Sequence, residues 1–277
     1  MAVDHYENFP VASRLMPSSI RQDVMNLYRF ARYADDVADE GQDTPAQRLQ
    51  KLKLLHVAVN SMALSNDSPP PPPSFDANLD AVCVSMAATV KRHHLPISLL
   101  SDLLSAFEQD IQVHRYPNNK VLLEYCSRSA NPVGRLMLCL FKHQTPQAYE
   151  QSDQICTALQ LINFLQDVAV DYQKGRIYLP QEDLQKYGVT EANLASGQTT
   201  EGWQQLMKQH VAQCRNLLKS GKPLGRALPG RLGLELRLII QGGTRILDKI
   251  ESVQYDVFRK RPILKPFDWL LIFWRAI

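Results

Sequence analysis

The sequence predicts an all-α protein. Three observations predict it: helix start and stop signals recur along the chain, apolar residues return at helical spacing between them, and no alternating strand pattern of useful length occurs. No repeat of fixed period is found either.

The elements follow in order. After Pro17, Ser19 and Gln22 fit a capping box that opens a helix running to Glu40, and Gly41 closes it. Thr44-Pro45 opens the next, since proline suits the first helical position. That helix fades into Ser65-Asn66-Asp67-Ser68 and the prolines Pro69 to Pro73, a stiff surface connector or an interaction motif. Further helices are expected over about 75–94, 97–114, 119–143 and 146–173, with Thr145-Pro146 repeating the start signal. A loop with a short helix spans Gly175 to Gly188, and helices near 200–220 and 230–258 follow.

With 277 residues, 45% of them hydrophobic, the chain holds enough apolar material for one well-buried core, and a single domain over 1–277 is expected. A net charge of only +3 gives no broad basic surface for nucleic acid. Met1 to Phe9 lack the basic start and apolar run of a secretory signal, and no stretch reaches the roughly 18 apolar residues of a membrane span. Five cysteines without CxxC spacing read as reduced thiols of a cytoplasmic protein.

The helix over 146–173 carries the most information. Gln160, Asn163, Asp167 and Asp171 fall in a strip roughly 80° wide at 100° per residue. Almost everything else from Ala158 to Val170 is apolar, which predicts a buried helix. Buried carboxylates need protonation, basic partners or a metal, because an isolated buried charge is very costly. The helix ending at Glu40 repeats the layout: Tyr28, Arg32, Asp35 and Asp39 lie within about 60° of one another. That strip borders the polar Arg29, Asp36 and Glu40, so a plain surface helix also explains it. Hard cations such as Mg²⁺ take one or two carboxylates each, with water and phosphate completing the shell. Two such strips therefore suit a diphosphate whose departure is helped by metal. Salt bridges from Asp167 or Asp171 to Arg32 or Arg176 are the competing explanation.

Tyr125-Cys-Ser-Arg-Ser-Ala-Asn-Pro-Val-Gly134 interrupts a helix with Pro132, freeing backbone near a ligand or merely kinking it. In Lys174-Gly-Arg-Ile-Tyr-Leu-Pro180, Arg176 and Tyr178 either fold back over the strip or, for Arg176, neutralise a helix C-terminus.

These residues resemble the squalene/phytoene synthases. Asp35-Asp-Val-Ala-Asp39 looks like the family's first aspartate-rich motif. Asn163-Phe-Leu-Gln-Asp-Val-Ala-Val-Asp171 with Lys174 to Pro180 looks like its second, and Tyr125 with Ala130-Asn-Pro-Val-Gly134 stands where the family has Tyr…Ala-Gly-x-Val-Gly. The resemblance covers about residues 5–260. It implies an all-α helical bundle around a central active-site cavity, with Asp35, Asp39, Asp167 and Asp171 as Mg²⁺–diphosphate ligands. It also implies that Tyr28, Arg32, Tyr125, Asn163 and Tyr178 line the diphosphate or cation site, with Gln160, Asn131 and Arg176 beside the substrate. Among the C-terminal basic residues it leaves Arg259 and Arg261 undecided.

Two departures point within the family. Gln166 stands where arginine is usual, and Asn131-Pro132 where glycine and a small or β-branched residue are usual. With Tyr6-Glu-Asn-Phe-Pro-Val-Ala-Ser13, they resemble the hydroxysqualene synthase branch of bacterial hopanoid pathways. That branch implies presqualene diphosphate as substrate, water as the quencher of the cation, and no nicotinamide cofactor. Gln166 or Asn131 then becomes a candidate for positioning that water, and packing is the alternative for Gln166. The rivals are a head-to-head prenyl synthase and a non-catalytic module of the same fold. From Phe258 onward, basic residues interleave with Trp269, Phe273 and Trp274, so 262–277 reads as a membrane-surface segment or as a docked terminal helix.

Overall fold

In a computed structural model of the chain, residues 17–64 and 77–277 are described. The proline run and the Tyr6–Ser13 segment lie outside them. The described residues are helical with no strand; one isolated parallel bridge joins Arg115 and Ile177. They group into two compact units, one drawn from 16–114 and 124–149, the other from 115–123 and 150–277.

The first unit contains α1 (Ser18–Asp39), α2 (Pro45–Leu64), α3 (Ala77–His93), α4 (Ile97–Gln112), the later part of α5 (Asn119–Ser129) and α6 (Asn131–Leu140). Helix α1 packs on α2, α3 and α4, and α2 also packs on α4. Phe30, Leu52, Leu55, Met86, Leu100 and Leu103 are fully buried there. The expected capping box at Ser19 does not form: Pro17 is the N-cap without a side-chain bond, and Gln22 instead donates to Asn26. The box lies one helix later, where Thr44 and Gln47 exchange side-chain and backbone bonds. One buried acid needs explaining. Asp23, 1% exposed, accepts from Arg92 at 2.6 Å and Thr89 at 3.2 Å and meets His93 Nε2 at 2.8 Å, which fastens α1 to the end of α3.

The second unit contains most of α7 (Pro146–Gln166), α8 (Val168–Gln173), α9 (Gln181–Lys186), α10 (Glu191–Ser196), α11 (Glu201–Gly221), α12 (Leu224–Ala227), α13 (Gly230–Ser252) and α14 (Pro266–Ala276). Trp203, Leu206 and Ile155 are fully buried in it. The expected helices over 119–143, 146–173 and 230–258 are each shorter or divided. Pro132 lacks an N–H, so the ladder breaks at Ala130, between α5 and α6. The last helix stops at Ser252, where Gln254 and Tyr255 adopt positive φ.

No described helix is long and apolar enough to cross a membrane. None of the five cysteines is in a disulfide, four of them are buried, and burial pushes Cys126 up to about 12.

Candidate active site

On α1 the first strip is organised by one guanidinium. Arg32 lies 3.0 Å from Asp35, 2.7 Å from Asp36 and 3.0 Å from Glu40. These are helix neighbours at three, four and eight positions, so the cluster follows from helix geometry alone. Burial lowers the Arg32 pKa, but Asp35, Asp36 and Glu40, with Tyr28, outweigh it and the net direction is upward. Tyr28 and Asp39 are half-buried on the same helix.

The second strip crosses a local break. Asp167 has φ −106° and ψ 13°, which ends α7 and begins α8. The bonds from Asp167 N to Asn163 O and from Asp171 N to Asp167 O are both 2.9 Å, so the strip stays in register across the break. The expectation of a wholly buried helix needs correction. Asn163 is exposed and Gln160, Asp167 and Asp171 are half-buried, while Leu161, Ile162, Phe164 and Leu165 form the buried side. The strip is thus an accessible polar edge on an otherwise packed helix.

Asp167 is held by Arg261 through a two-pronged contact, Nε to Oδ1 at 2.5 Å and Nη2 to Oδ2 at 3.2 Å. For Asp167 the competing arginine is Arg261, in place of Arg32 or Arg176. Of the two arginines left open, Arg261 meets Asp167, whereas Arg259 is 67% exposed and meets Asp256 at 3.6 Å. Next to this clamp, Gln166 is 1% exposed and donates Nε2 to the Pro262 carbonyl at 2.5 Å. That amide ties the end of α7 to the chain after Arg261, the packing contact named as the alternative to water positioning.

Beyond α8, Gly175 takes φ +80° and the chain reverses, with Arg176 N bonded to Asp171 O at 2.8 Å. The reversal lays Tyr178 flat against Phe164, ring centroids 3.8 Å apart, and Tyr116 also stacks with it at 5.6 Å. A small cleft results, lined by Phe164, Val168, Asp171, Arg176, Tyr178 and Leu179. Arg176 thus lies beside the strip and, through its N–H, at the C-terminal end of α8, so both readings of it stand.

In the first unit, Tyr125 is buried and its hydroxyl donates to Asp110 at 2.8 Å. Arg128 on the same helix reaches Ser105 at 3.0 Å and also Gln109. Asn131 is buried at the start of α6. Asp110 was missed from sequence, although a signal existed. It shares a helix face with Leu99, Leu103 and Ala106, so an acid stands at a core position.

The squalene/phytoene synthase family model matches residues 2–268. The chain belongs to the squalene/phytoene synthase family. It is 34% identical over 237 residues to a hydroxysqualene synthase of Zymomonas mobilis, covering 84% of this chain and 75% of that one. A hydroxysqualene synthase of Sinorhizobium fredii is 29% identical over 272 residues, covering 98% and 87%. Among solved structures, squalene synthase HpnC from Alicyclobacillus acidocaldarius superposes with a TM-score of 0.79 at 30% identity, covering 91% and 90%. Members of this family are enzymes that process isoprenoid diphosphates, and the all-α fold agrees with theirs.

The donor chemistry fits a hard divalent cation. Asp35, Asp39, Asp167 and Asp171 are oxygen donors, and all four are half-buried, so ions can reach them. Among the described residues no three His, Cys, Asp or Glu side chains gather into a ready-made cage. Mg²⁺ does not need one, because it retains waters and shares substrate phosphate.

Proposed function

We propose that the chain is a hydroxysqualene synthase, which converts presqualene diphosphate and water to hydroxysqualene and diphosphate. Supporting this reading are the identity to two proteins of that name and the cleft that sets Asp171 and Arg176 beside stacked aromatic rings. The likeness to proteins of that name is the observation that carries it. A leaving diphosphate needs cationic partners, and the carbocation left behind needs π-faces and little water.

In this reading Asp35, Asp39, Asp167 and Asp171 hold Mg²⁺, which when bound neutralises charge building on the departing diphosphate. Arg32 and Arg176 steady that group through paired donors. Tyr178, stacked with Phe164 and Tyr116, lines the cleft beside Asp171 and Arg176. The substrate's C–O bond breaks with its electron pair leaving on diphosphate. A water oxygen then bonds to the rearranged cation and loses a proton. No nicotinamide cofactor takes part.

Product analysis by mass spectrometry tests the proposal. Presqualene diphosphate with Mg²⁺ is expected to yield hydroxysqualene and pyrophosphate, unchanged by NADPH. Condensation of farnesyl diphosphate as the only detectable activity would assign the chain to the head-to-head synthases instead.

The fold also bears on where the reaction takes place. The C-terminal tail carries exposed apolar side chains, which favours peripheral contact with a membrane.

A further inference from the structure

Helix α14 unites the two readings of the tail. Asp268, Ile272 and Ala276 form its buried stripe, spaced by one helical turn. Asp268 is gripped by Arg245 at 2.7 Å, Lys249 at 2.5 Å and the Lys265 N–H at 2.6 Å. Arg237 binds the Ala276 carbonyl at 2.6 Å, and Lys249 binds that of Ile263 at 2.8 Å. The helix is therefore fastened to α13 along its length.

Its other side is bare. Phe267 is 85% exposed, Leu270 71%, Phe273 51%, Trp274 77% and Ile277 82%. At 100° per residue they share an arc of about 120°, opposite the buried stripe. They are five of the nine large hydrophobic side chains exposed among the described residues, so the patch is concentrated on one helix. The tail around it carries more base than acid. Between Phe258 and Ile277 the exposed charged side chains are Arg259, Lys260, Lys265 and Arg275, of which Arg259 meets Asp256 at 3.6 Å and Arg275 meets Asp248 at 3.3 Å, while the tail's single acid, Asp268, is buried.

We propose that the outward face of α14 lies in the interface of an anionic lipid bilayer, its aromatic residues among the acyl-chain boundary and its basic residues on headgroup phosphates. Charge decides against a second copy as the occupant. Two such tails would bring like cations together, with no exposed acid between Phe258 and Ile277 to meet them. The inference extends the membrane contact named above, and it does not depend on which isoprenoid diphosphate reacts.

Co-sedimentation of the full chain with phosphatidylcholine vesicles, with and without phosphatidylglycerol, tests it. Binding is expected only with the anionic lipid and is expected to weaken at high salt. The Phe267→Ser/Trp274→Ser double variant should bind at least about tenfold more weakly, whereas Val57→Ser, at an exposed apolar site on α2, should bind like the parent. In the unaltered chain, brominated lipid should quench tryptophan fluorescence, and Trp274→Phe should remove most of that quenching. This second readout stands if the double variant fails to fold. Vesicle binding unaffected by the double change, or a dimer that the same change dissolves, would overturn the proposal. Pyrophosphate release, measured separately in detergent, reports on the reaction alone.

Discussion

On α1 the guanidinium that holds the carboxylates comes from the same helix, three to eight residues away from them. At the end of α7 it comes from Arg261, 94 residues along the chain. The two strips share residue types and spacing, yet one cluster forms as soon as its helix forms, and the other only when the C-terminal segment has folded back. The burden on each arginine differs too. Arg32 divides its charge among three partly exposed acids, whereas Arg261 offers a planar fork to one carboxylate that is 14% exposed. A shared arginine yields easily to a metal ion. A forked contact resists exchange and fixes the carboxylate more tightly.

Substitutions at the acids should give the largest effect. Asp35→Asn/Asp39→Asn and, separately, Asp167→Asn/Asp171→Asn are each expected to slow pyrophosphate release by about 1000-fold, several kcal/mol of lost charge stabilisation. A strip whose loss leaves the rate untouched holds no metal, and the likeness between the two strips then fails. Chelation by EDTA should stop release and Mg²⁺ should restore it, because both strips present oxygen donors suited to a hard cation.

The arginines test the difference. Arg261→Ala leaves the Asp167 carboxylate without its forked partner and should destabilise the fold by about 2 kcal/mol, with Arg261→Lys recovering part of it. Arg32→Ala should cost about 1 kcal/mol or less, since pairs on an exposed helix face contribute little. Equal losses in thermal melts would erase the contrast.

The smallest effect concerns acid. Burial raises the Asp268 pKa, but Lys249, the Lys265 N–H and Arg245 outweigh it and hold the group down to about 2. A depressed carboxylate contributes stability that is complete above its unfolded pKa of about 3.9 and fades as pH falls through the folded value. Docking of α14 should therefore loosen between roughly pH 4 and 2, and Asp268→Asn should remove that dependence from tryptophan-monitored titrations.

Much of this was legible because it is local. Tyr28, Arg32, Asp35 and Asp39 fall on one face by rotation per residue alone, as do Asn163, Asp167 and Asp171. The proline at 132 forces a break wherever the helix lies, and the glycines at 41 and 175 turn the chain as their positions suggested. The capping box at Ser19 misled because a cap needs a non-helical residue at the right backbone angle, and Pro17 already occupies that place.

What folding decided was choice of partner. Sequence alone determined the helical class, the two acidic strips and the family motifs, since each depends on spacings of a few residues. Only the tertiary structure brought Arg261 to Asp167, gave Gln166 the Pro262 carbonyl, exposed Asn163, and turned the acid of α14 inward and its aromatic residues outward. The reason is physical. Rotation per residue fixes which side chains share a face, but many chain paths can close a loop of some ninety residues at nearly the same entropic cost. Packing and charge pairing then pick one.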